Sequence, residues 1–424
     1  MILFLYNIAL LFALLLSLPL WLVRPRWRVG LRERLGAGGA RVARVMAGHP
    51  RVWVHAVSVG EVVAMTRLVE LLDERLGLGA VVVSTTTRTG QELARQRFGA
   101  ERCFYFPLDL PWVVRGVVRA LRPGVIVLAE SELWPNVLAE CARHRIPVAV
   151  VNARVSDRSL PRYERLCRLW KPFLETLTLV LAQSEEDARR FERIGVPPGR
   201  VRVGGNLKFD ARVGVAAPVA ARLKSVLRAD ARVLVAGSTL EDEERLLLEA
   251  WPHIVAQVPQ AVLVLAPRHP ERFARVAALA REMGVNAIRR SAWEGSALPA
   301  GSLFLLDSIG ELGSLYGLAT LAFVGGSLVQ AGGHNPLEPA SLGVGVVMGP
   351  SYENFREVVE LLREAGGLRV STRAEMATDL AALLGDAAAA AAMGERGKTV
   401  LAQQAGATAR TAEAVVRLLM EGTA

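Results

Sequence analysis

Cysteine and histidine are scarce in this sequence, and their positions exclude several kinds of site. The 424 residues include 3 cysteines and 6 histidines. The cysteines match no metal or redox spacing, and so low a number is typical of a reducing compartment without disulfides. No pair of histidines has the His-x-x-x-His spacing of a metal site. We therefore expect no bound metal.

Polar residues are nearly missing from the start of the chain. Hydrophobic residues make up 52% of the whole chain and its mean hydropathy is +0.30, which excludes a disordered protein. Residues 2–23 are almost wholly apolar, and a helix of about 20 apolar residues can cross a bilayer. The segment lacks the basic start and small-x-small cleavage site of a signal peptide. We expect residues 1–23 to form a membrane anchor; an interfacial helix and a buried core helix are the alternatives.

Positive charge is concentrated directly after this apolar segment. The chain has 51 lysines and arginines against 41 acidic residues, a net charge of +10. The positive-inside rule keeps a basic flank, and the chain beyond it, on the cytoplasmic side. An anionic membrane surface would attract this flank, although nucleic acid or an anionic substrate could also use such a charge. The basic residues, and the tryptophans suited to the headgroup region, are Trp21, Arg24, Arg26, Trp27, Arg28, Arg32 and Arg34.

Short apolar runs alternate with helical stretches along the rest of the chain. Such runs are typical of strands buried on both faces of a parallel sheet, and their alternation with helices predicts a doubly wound α/β fold. The runs fall into two series, which predicts two Rossmann-like domains. The first series covers 52–57, 80–84, 125–128, 148–151, 179–181 and 201–203, and the second covers 233–236, 261–266, 303–306, 321–324 and 344–348.

These two series set the predicted domain boundaries. Residues 24–210 form the first domain, residues 211–231 a linker, and residues 232–424 the second domain with its C-terminal helices. Ligands of open α/β sheets bind beyond the carboxyl ends of the strands, and two such domains facing each other would enclose a cleft. Polar residues just after the predicted strands are therefore the candidate site residues.

Glu61 lies just after the first predicted strand, in the stretch SVGE. One interpretation is a capping box, in which the side chains of Ser58 and Glu61 each accept a hydrogen bond from the other's backbone N–H. The other interpretation is a carboxylate held at the mouth of the cleft to accept a proton. The local sequence leaves both open.

Two more acidic residues, Glu130 and Glu132, follow the third run of the first series. Carboxylates are costly to bury unpaired, so at a strand end they are exposed, paired or functional. The alternative is a plain helix start, since acidic residues suit a first turn and Pro135 suits an early helical position.

Two cationic residues also follow predicted strands. Lys208 lies at the predicted domain junction, and Arg268 follows a strand of the second domain. Either cation could neutralise a phosphate or carboxylate. The alternatives are a solvated surface lysine and a plain turn made by Pro267 and Pro270.

Glycine pairs mark the segment that begins at Gly325 and ends at Glu338. The segment is not GxGxxG, and the chain contains no GxxxxGK[ST], so neither of these nucleotide-binding motifs is present. Paired glycines let backbone N–H groups approach a ligand. Asn335 would cap a helix that begins at Pro336 and directs its N-terminus at an anion. Glu338 would accept from ribose hydroxyls or simply suit the helix dipole.

Seven motifs occur in a characteristic order: VHAVSVGE, ESELWPN, NARVSDRS, NLKFD, APRHPERF, DSIGEL and FVGGSLVQAGGHNPLEPA. With this order and spacing the chain resembles the bacterial 3-deoxy-D-manno-octulosonic acid (Kdo) transferases. These are membrane-associated GT-B glycosyltransferases of lipopolysaccharide assembly. The resemblance extends from the N-terminal segment to about residue 360.

The resemblance implies an inverting transfer of Kdo from CMP-Kdo to the lipid A precursor, lipid IVA, at the cytoplasmic side of the inner membrane, without metal or cofactor. The first domain would bind this acceptor and the second the donor. Glu61 would be the general base, with Glu130 and Lys208 stabilising the transition state. The residues implied to bind CMP are Pro267, Arg268, Ile309, Gly310, Glu311, Asn335, Pro336, Leu337 and Glu338.

Two other classes of function stay open at this point. Another GT-B transferase or an epimerase would share the fold and the glycine-rich loop but would need no anchor. A non-catalytic, membrane-tethered binder of anionic polymers would need a continuous basic stripe. The acidic residues at the strand ends argue against that stripe, so we expect no nucleic acid partner.

Overall fold

The computed structural model forms two α/β units. The first unit is Met1–Ala211 together with Ala405–Ala424, and the second is Arg212–Gln404. The residues that the structure describes are 2–23, 28–46, 51–157, 159–210 and 217–422. The predicted features that lie outside them are Arg24, Arg26, Trp27 and residues 211–216 of the linker.

The first unit is built on one sheet of seven parallel strands. In chain order they are β1 (Val52–His55), β2 (Val81–Thr85), β3 (Cys103–Tyr105), β4 (Val125–Ala129), β5 (Val148–Ala153), β6 (Leu179–Ala182) and β7 (Val201–Val203). Across the sheet they lie in the order β3-β2-β1-β4-β5-β6-β7. All but the edge strand β7 are buried throughout, as strands covered on both faces must be.

Helices cover both faces of this sheet. They are α1 (Ile2–Val23), α2 (Gly38–Val45), α3 (Val59–Leu76), α4 (Arg88–Phe98), α5 (Pro111–Leu121), α6 (Pro135–His144), α7 (Leu160–Arg165), α8 (Cys167–Leu174), α9 (Glu185–Ile194) and, from the C-terminus, α18 (Ala407–Glu421). Val52 and Val54 of β1 pack into one core layer with α3, α4 and α18. Trp53 packs into the opposite layer with α5, α6 and α9, because successive side chains of a strand point to opposite faces.

The second unit has a seven-stranded parallel sheet of its own, in the order β10-β11-β9-β8-β12-β13-β14. The strands are β8 (Arg232–Thr239), β9 (Ala261–Pro267), β10 (Ala287–Arg289), β11 (Leu303–Leu305), β12 (Leu321–Val324), β13 (Gly345–Met348) and β14 (Leu368–Val370). The helices are α10 (Pro218–Val226), α11 (Glu243–Gln257), α12 (Phe273–Glu282), α13 (Leu312–Leu315), α14 (Leu337–Ser341), α15 (Arg356–Glu364), α16 (Met376–Gly385) and α17 (Ala387–Gln404).

The predicted doubly wound fold is confirmed, and each predicted run contains a strand. The strands that the sequence did not reveal are β3, β10 and β14, which are the outer strands of their sheets. Each is only 3 residues long. β10 and β14 are covered less completely than the central strands and need no continuous apolar run, whereas β3 is buried and its pattern is weak because the strand is short.

The C-terminal helix corrects the predicted domain boundaries. Residues 232–424 were expected to form the second domain, but α18 belongs to the first unit. Val415 and Leu419 are buried in its core, and Leu419 packs so closely on Gly124 that a Cβ there would lie 2.4 Å from its Cδ1. Apolar burial against the first sheet therefore decides where this helix packs.

The predicted linker also differs from expectation. Its residues 218–226 form α10, and Val219 and Leu223 of this helix are buried in a core layer of the second unit. The apolar side of the weakly amphipathic segment explains this packing, since it must be covered by another element. These residues therefore belong to the second unit.

The apolar N-terminal segment is helical and is held on the first unit by two hydrogen bonds. The Tyr6 hydroxyl donates to Asp109 Oδ2 at 2.9 Å, and Asn136 Nδ2 donates to Asn7 Oδ1 at 2.7 Å. Among the side chains that the structure describes in α1, which are those of residues 2–17, seven large apolar ones are exposed: Phe4, Leu5, Ile8, Leu11, Phe12, Leu15 and Leu16. Of α1, the stretch Ile2–Ser17 is apolar but shorter than a membrane span. No single helix in the described part of the chain has both the length and the hydropathy of a span. The helices Met376–Gly385 and Ala387–Glu421, which are bent by 99° at the break between them, meet both criteria only when they are taken as a pair.

Arg34 of the predicted basic flank is part of the folded unit. Its guanidinium lies 4.6 Å from the centre of the Tyr105 ring and donates to the backbone oxygen of Thr86. A half-buried arginine with these partners is not available to a membrane surface, which corrects the role predicted for Arg34.

We expect Leu419→Ala to lower the free energy of unfolding by about 2–5 kcal/mol, the usual effect of removing a buried leucine side chain. Leu419 is 4% exposed. Arg417→Ala on the same helix is the matched control, because the Arg417 side chain is 60% exposed. Urea titrations of both variants measure the difference. Equal stabilities would contradict the assignment of α18 to the core of the first unit.

Candidate active site

Glu61 lies in the first turn of α3, just beyond the carboxyl end of β1. Its Oε2 accepts a hydrogen bond from the backbone N–H of Val57 at 2.8 Å, and its Oε1 accepts one from the Ser58 hydroxyl at 3.1 Å. Ser58 begins the helix without a side-chain cap. The predicted capping box is therefore wrong in detail: Glu61 does reach back along the chain, but to Val57, and Ser58 donates to the carboxylate.

Burial raises the pKa of Glu61 to about 7. The residue is 9% exposed, and removal from water disfavours the charged carboxylate. The hydrogen bonds from Val57 and Ser58 oppose this rise, whereas the negative charges of Glu130 and Glu132 add to it. The carboxyl can thus take up or release a proton near neutral pH, which is what a general base requires.

The structure brings Glu130 and Glu132 to the same edge of the sheet as Glu61. Both follow β4, which pairs with β1, and both charges act on Glu61. Burial, and then the charge of Glu130, raises the pKa of Glu132 as well. Glu130 has a φ of +57°, a conformation that costs about 1–3 kcal/mol and persists mainly at functional sites. The helix-start interpretation also holds, because α6 begins at Pro135.

Lys208 lies in a short 3-10 turn, Leu207–Asp210, that follows β7. Its backbone N–H donates to Asn206 Oδ1 at 3.0 Å, and the residue is half-buried. Because every strand of the sheet is parallel, this turn emerges at the same edge as the loop of Glu61. Lys208 therefore places a cation at the edge that also carries Glu61, Glu130 and Glu132.

In the second unit, the loops after β8, β9, β11 and β12 also emerge at one edge. β8 lies between β9 and β12, so the strand order reverses there, and open α/β sheets bind ligands at such points. Pro267 is buried at the end of β9. Arg268 follows it with an exposed side chain, and its backbone N–H donates to the Thr239 oxygen at 2.9 Å.

His334 lies close to Arg268, although the sequence analysis gave it no role. Burial, together with the smaller effects of the charges of Arg268 and His269, lowers the pKa of His334 to about 4. The ring packs against Gly326, where an added Cβ would lie 2.8 Å from its Cδ2. The imidazole is therefore neutral at neutral pH. Its place inside the motif GGHNPLE is the signal that could have identified it.

Asn335 does not occupy the N-cap position that was predicted for it, because α14 begins at Leu337 and Pro336 is its N-cap residue. Asn335 Oδ1 accepts from the Leu337 N–H at 3.0 Å, and its Nδ2 donates to Glu338 Oε1 at 3.4 Å. Pro336 and Leu337 are buried, whereas Asn335 and Glu338 are half-buried. The two polar residues thus form the accessible part of this turn.

The segment 309–311 follows β11 and is most exposed at Ile309, which is 78% exposed. Gly310 has a φ of +86°, a conformation that favours glycine. The carboxylate of Glu311 accepts from Arg290 Nε and Nη2 at 3.1 and 3.0 Å. Its charge is therefore already paired with that of Arg290.

The glycine-rich loop after β12 does not offer the backbone N–H groups that the sequence analysis predicted. The N–H groups of Gly326, Ser327 and Leu328 donate to the carboxylate of Glu243 at 2.7, 2.9 and 2.9 Å. Glu243 is fully buried and also accepts from the Leu240 N–H at 2.9 Å. An internal carboxylate thus occupies the position expected for a ligand phosphate. Glu243 is one of four consecutive acidic residues, so the sequence does not single it out.

The edge of each sheet thus carries both acidic and basic side chains, and that of the second unit also carries the amide of Asn335. Among the residues that the structure describes, no group of three or more His, Cys, Asp or Glu side chains is arranged to hold a metal ion.

Comparison with known proteins identifies the family. The model of the 3-deoxy-D-manno-octulosonic-acid transferase domain matches residues 29–211. The 3-deoxy-D-manno-octulosonic acid transferase of Bordetella pertussis is 36% identical over 395 residues, covering 90% of each chain. That of Haemophilus influenzae is 34% identical over 365 residues, covering 85% of each chain. This chain belongs to the 3-deoxy-D-manno-octulosonic acid transferase family.

Membership of this family confirms the resemblance seen in the motifs, and it makes the chain a glycosyltransferase and not a passive binder. The fold agrees with that of the UDP-GlcNAc 2-epimerase of Neisseria meningitidis bound to UDP-GlcNAc. The two share 13% identity and a TM-score of 0.54, over 87% of this chain and 99% of the epimerase. That likeness concerns the fold alone.

We expect Glu243→Ala to lower the free energy of unfolding by at least about 3 kcal/mol. Three buried N–H groups and the half-buried one of Leu240 would lose their acceptor, and each unpaired buried group costs about 1–3 kcal/mol. Glu241→Ala in the same loop is the control, because its side chain is 55% exposed and forms surface ion pairs. Urea titration compares the variants. Equal stabilities would mean that Glu243 does not hold the loop.

Proposed function

We propose that this protein is an inverting glycosyltransferase that moves Kdo from CMP-Kdo to a lipid A precursor, lipid IVA, in lipopolysaccharide biosynthesis. Family membership supports the transfer of Kdo. The observation that carries the mechanism is the buried carboxyl of Glu61, whose pKa of about 7 suits a base at neutral pH.

Glu61 accepts the proton of the attacking sugar hydroxyl in this proposal. As the O–H bond breaks, the hydroxyl oxygen attacks the anomeric carbon of Kdo, and the bond from that carbon to the CMP phosphate breaks. Inversion requires the base on the face opposite the leaving phosphate. The N–H of Val57 and the hydroxyl of Ser58 hold the carboxylate in one orientation before it takes the proton.

Two further charged residues of the first unit, Glu130 and Lys208, stabilise the transition state in this proposal. Breaking the bond to CMP builds positive charge at the anomeric carbon and negative charge on the phosphate. Glu130 stabilises the positive charge, and Lys208 stabilises the negative charge. The positive φ of Glu130, +57°, supports a functional role, because strained backbone conformations cluster at active sites.

The second unit binds the donor nucleotide in this proposal. Arg268 neutralises the single phosphate of CMP, and the half-buried Asn335 and Glu338 accept or donate hydrogen bonds to its sugar. Burial of Pro267 fixes the turn that carries Arg268, and burial of Pro336 and Leu337 fixes the turn that carries Asn335 and Glu338. Ile309 and Gly310 supply an apolar side chain and exposed backbone, while the paired Glu311 holds their loop. No metal is needed, because CMP carries only one phosphate.

The acceptor is acylated, so the enzyme works at the inner-membrane surface in this proposal. The exposed apolar side chains of α1 contact lipid, and the basic residues after it contact anionic headgroups. Arg32 is exposed and suits this contact. The two hydrogen bonds that hold α1 on the first unit would keep that unit beside the membrane.

We expect Glu61→Gln to lower the rate of Kdo transfer by about 10²–10⁴-fold, because an amide cannot accept the proton. The assay follows the mass of detergent-dispersed lipid IVA incubated with CMP-Kdo. Glu74→Gln on the same helix is the control, since the Glu74 side chain is 57% exposed. Near-normal turnover of the Glu61 variant would leave this residue with a purely structural role.

The pH dependence tests the same assignment. For the wild type, kcat/KM should rise with pH through about 7 as Glu61 ionises.

The stability of the protein should depend on the same group. The pKa of Glu61 is raised above its unfolded value of 4.5, so the stabilisation from the bound proton is full below about pH 4.5 and is lost as the pH rises through about 7. Glu61→Gln should therefore lose less stability than the wild type between pH 5 and pH 8 in urea titrations. Parallel losses would contradict the raised pKa.

We expect Arg268→Ala to weaken CMP binding roughly tenfold or more, since a hydrogen bond to a charged group contributes about 1.5–3 kcal/mol. Titration calorimetry with CMP measures the affinity. Arg275→Ala is the control, because Arg275 lies on α12 with its side chain 70% exposed. An unchanged affinity in Arg268→Ala would place the phosphate at another group.

A further inference from the structure

The motif NARVSDRS carries an unusual residue that the proposed mechanism does not use. Asn152, at the end of β5, has a φ of +51° and is 1% exposed. The pairing of β5 with β6 shifts register between Val150 and Ala153, around this residue. The Nδ2 of Asn152 is buried and has no hydrogen-bond partner among the described residues. Strain and an unpaired buried donor both reduce stability, so packing alone does not account for this residue.

The side-chain oxygen of Asn152 is hydrogen-bonded to the turn Leu207–Asp210, which carries Lys208. Asn152 Oδ1 accepts from the backbone N–H of Leu207 at 3.0 Å. The neighbouring Asn206 is held by its Nδ2, which donates to Gln183 Oε1 at 3.3 Å. Gln183 Nε2 in turn donates to the backbone oxygen of Asn152 at 3.0 Å. The ring of contacts is closed, and its three amide residues are all buried.

The same segment is fixed at its other end. Asp210 accepts from the backbone N–H groups of Gly406 and Thr408 at 2.7 and 2.6 Å, at the start of α18. Between the two attachments, Lys208 is half-buried, and its own N–H donates to Asn206 Oδ1. The turn of Lys208 is thus held on one side by the strand ends and on the other by the C-terminal helix.

We propose that Asn152 is a positioning residue that holds the turn of Lys208 in the place its charge needs during transfer. Asparagine suits this task because it adopts a positive φ at lower cost than most residues and carries an acceptor on a short side chain. The inference rests on the proposed role of Lys208 in Kdo transfer. The new element is the role of Asn152. This residue contacts neither CMP-Kdo nor the acceptor, but it fixes the backbone that carries the ammonium group of Lys208.

A double-mutant cycle of Asn152→Gly and Lys208→Ala tests this inference. Glycine accepts the positive φ, so the substitution removes the amide without straining the backbone. We expect Asn152→Gly alone to lower kcat for Kdo transfer by about 10-fold to 10²-fold, as for a misplaced catalytic group, with a smaller change in KM for CMP-Kdo. In the Lys208→Ala background, Asn152→Gly should lower kcat by no more than about twofold, because the ammonium group that Asn152 positions is already absent.

The control is Arg145→Gly, since Arg145 has a φ of +56° and an exposed side chain in the same unit. It should leave kcat unchanged. Melting temperatures are recorded for every variant, and Asn206→Ala, which removes the acceptor for the Lys208 N–H, replaces Asn152→Gly in the cycle if the latter does not fold.

Four results would overturn the inference. Unchanged kcat in Asn152→Gly, or losses that multiply in the double variant, would mean that Asn152 does not act through Lys208. An equal loss in Arg145→Gly would mean that any substitution of this kind disturbs the unit. Unchanged kcat in Lys208→Ala would instead remove the proposed role of Lys208 itself, and the inference with it.

Discussion

Parallel strands covered by helices on both faces leave only their ends for polar chemistry. In such a sheet every carboxyl end points the same way, so loops far apart in sequence meet at one edge. Glu61, Glu130 and Lys208 follow three different strands of the first unit and share that edge. In the second unit, Arg268 follows β9, while His334 and Asn335 both follow β12, and these residues share the corresponding edge. The burial of the strands, and not any local motif, brings the candidate site residues together.

This constraint explains what the sequence predicted well. A central strand must be apolar along its whole length, so the runs of valine, leucine and alanine showed where the strands lie and which polar residues follow them. The outer strands β10 and β14 are only partly covered, and β3, although buried, has only three residues, so none of the three forms a long apolar run. The candidate site was therefore predictable to the level of loops, because it depends on the central strands.

Contacts between distant parts of the chain were not predictable. α18 is rich in alanine like the helices before it, yet it packs on the first unit because its apolar side fits the surface around Gly124. Similarly, the sequence predicts Arg34 as a membrane contact, whereas in the structure its guanidinium packs on the ring of Tyr105. In both cases the residue types suit two environments equally well. Only the shape and hydrogen-bonding capacity of the partner, which a single sequence does not contain, decide between them.

Glu61 and Glu243 show this limit most directly. Each lies in the first turn of the helix that follows the first strand of its unit. Glu243 accepts from four backbone N–H groups, so its charge is used to join two loops. Glu61 accepts from one N–H and one hydroxyl and faces two other carboxylates, which together with burial leave its pKa at about 7. A carboxylate serves as a base only when its protonated and ionised forms are close in free energy at working pH. The same residue type at the same place in the architecture therefore joins two loops in one unit, whereas in the other its burial, opposed by two hydrogen bonds, leaves it suited to proton transfer.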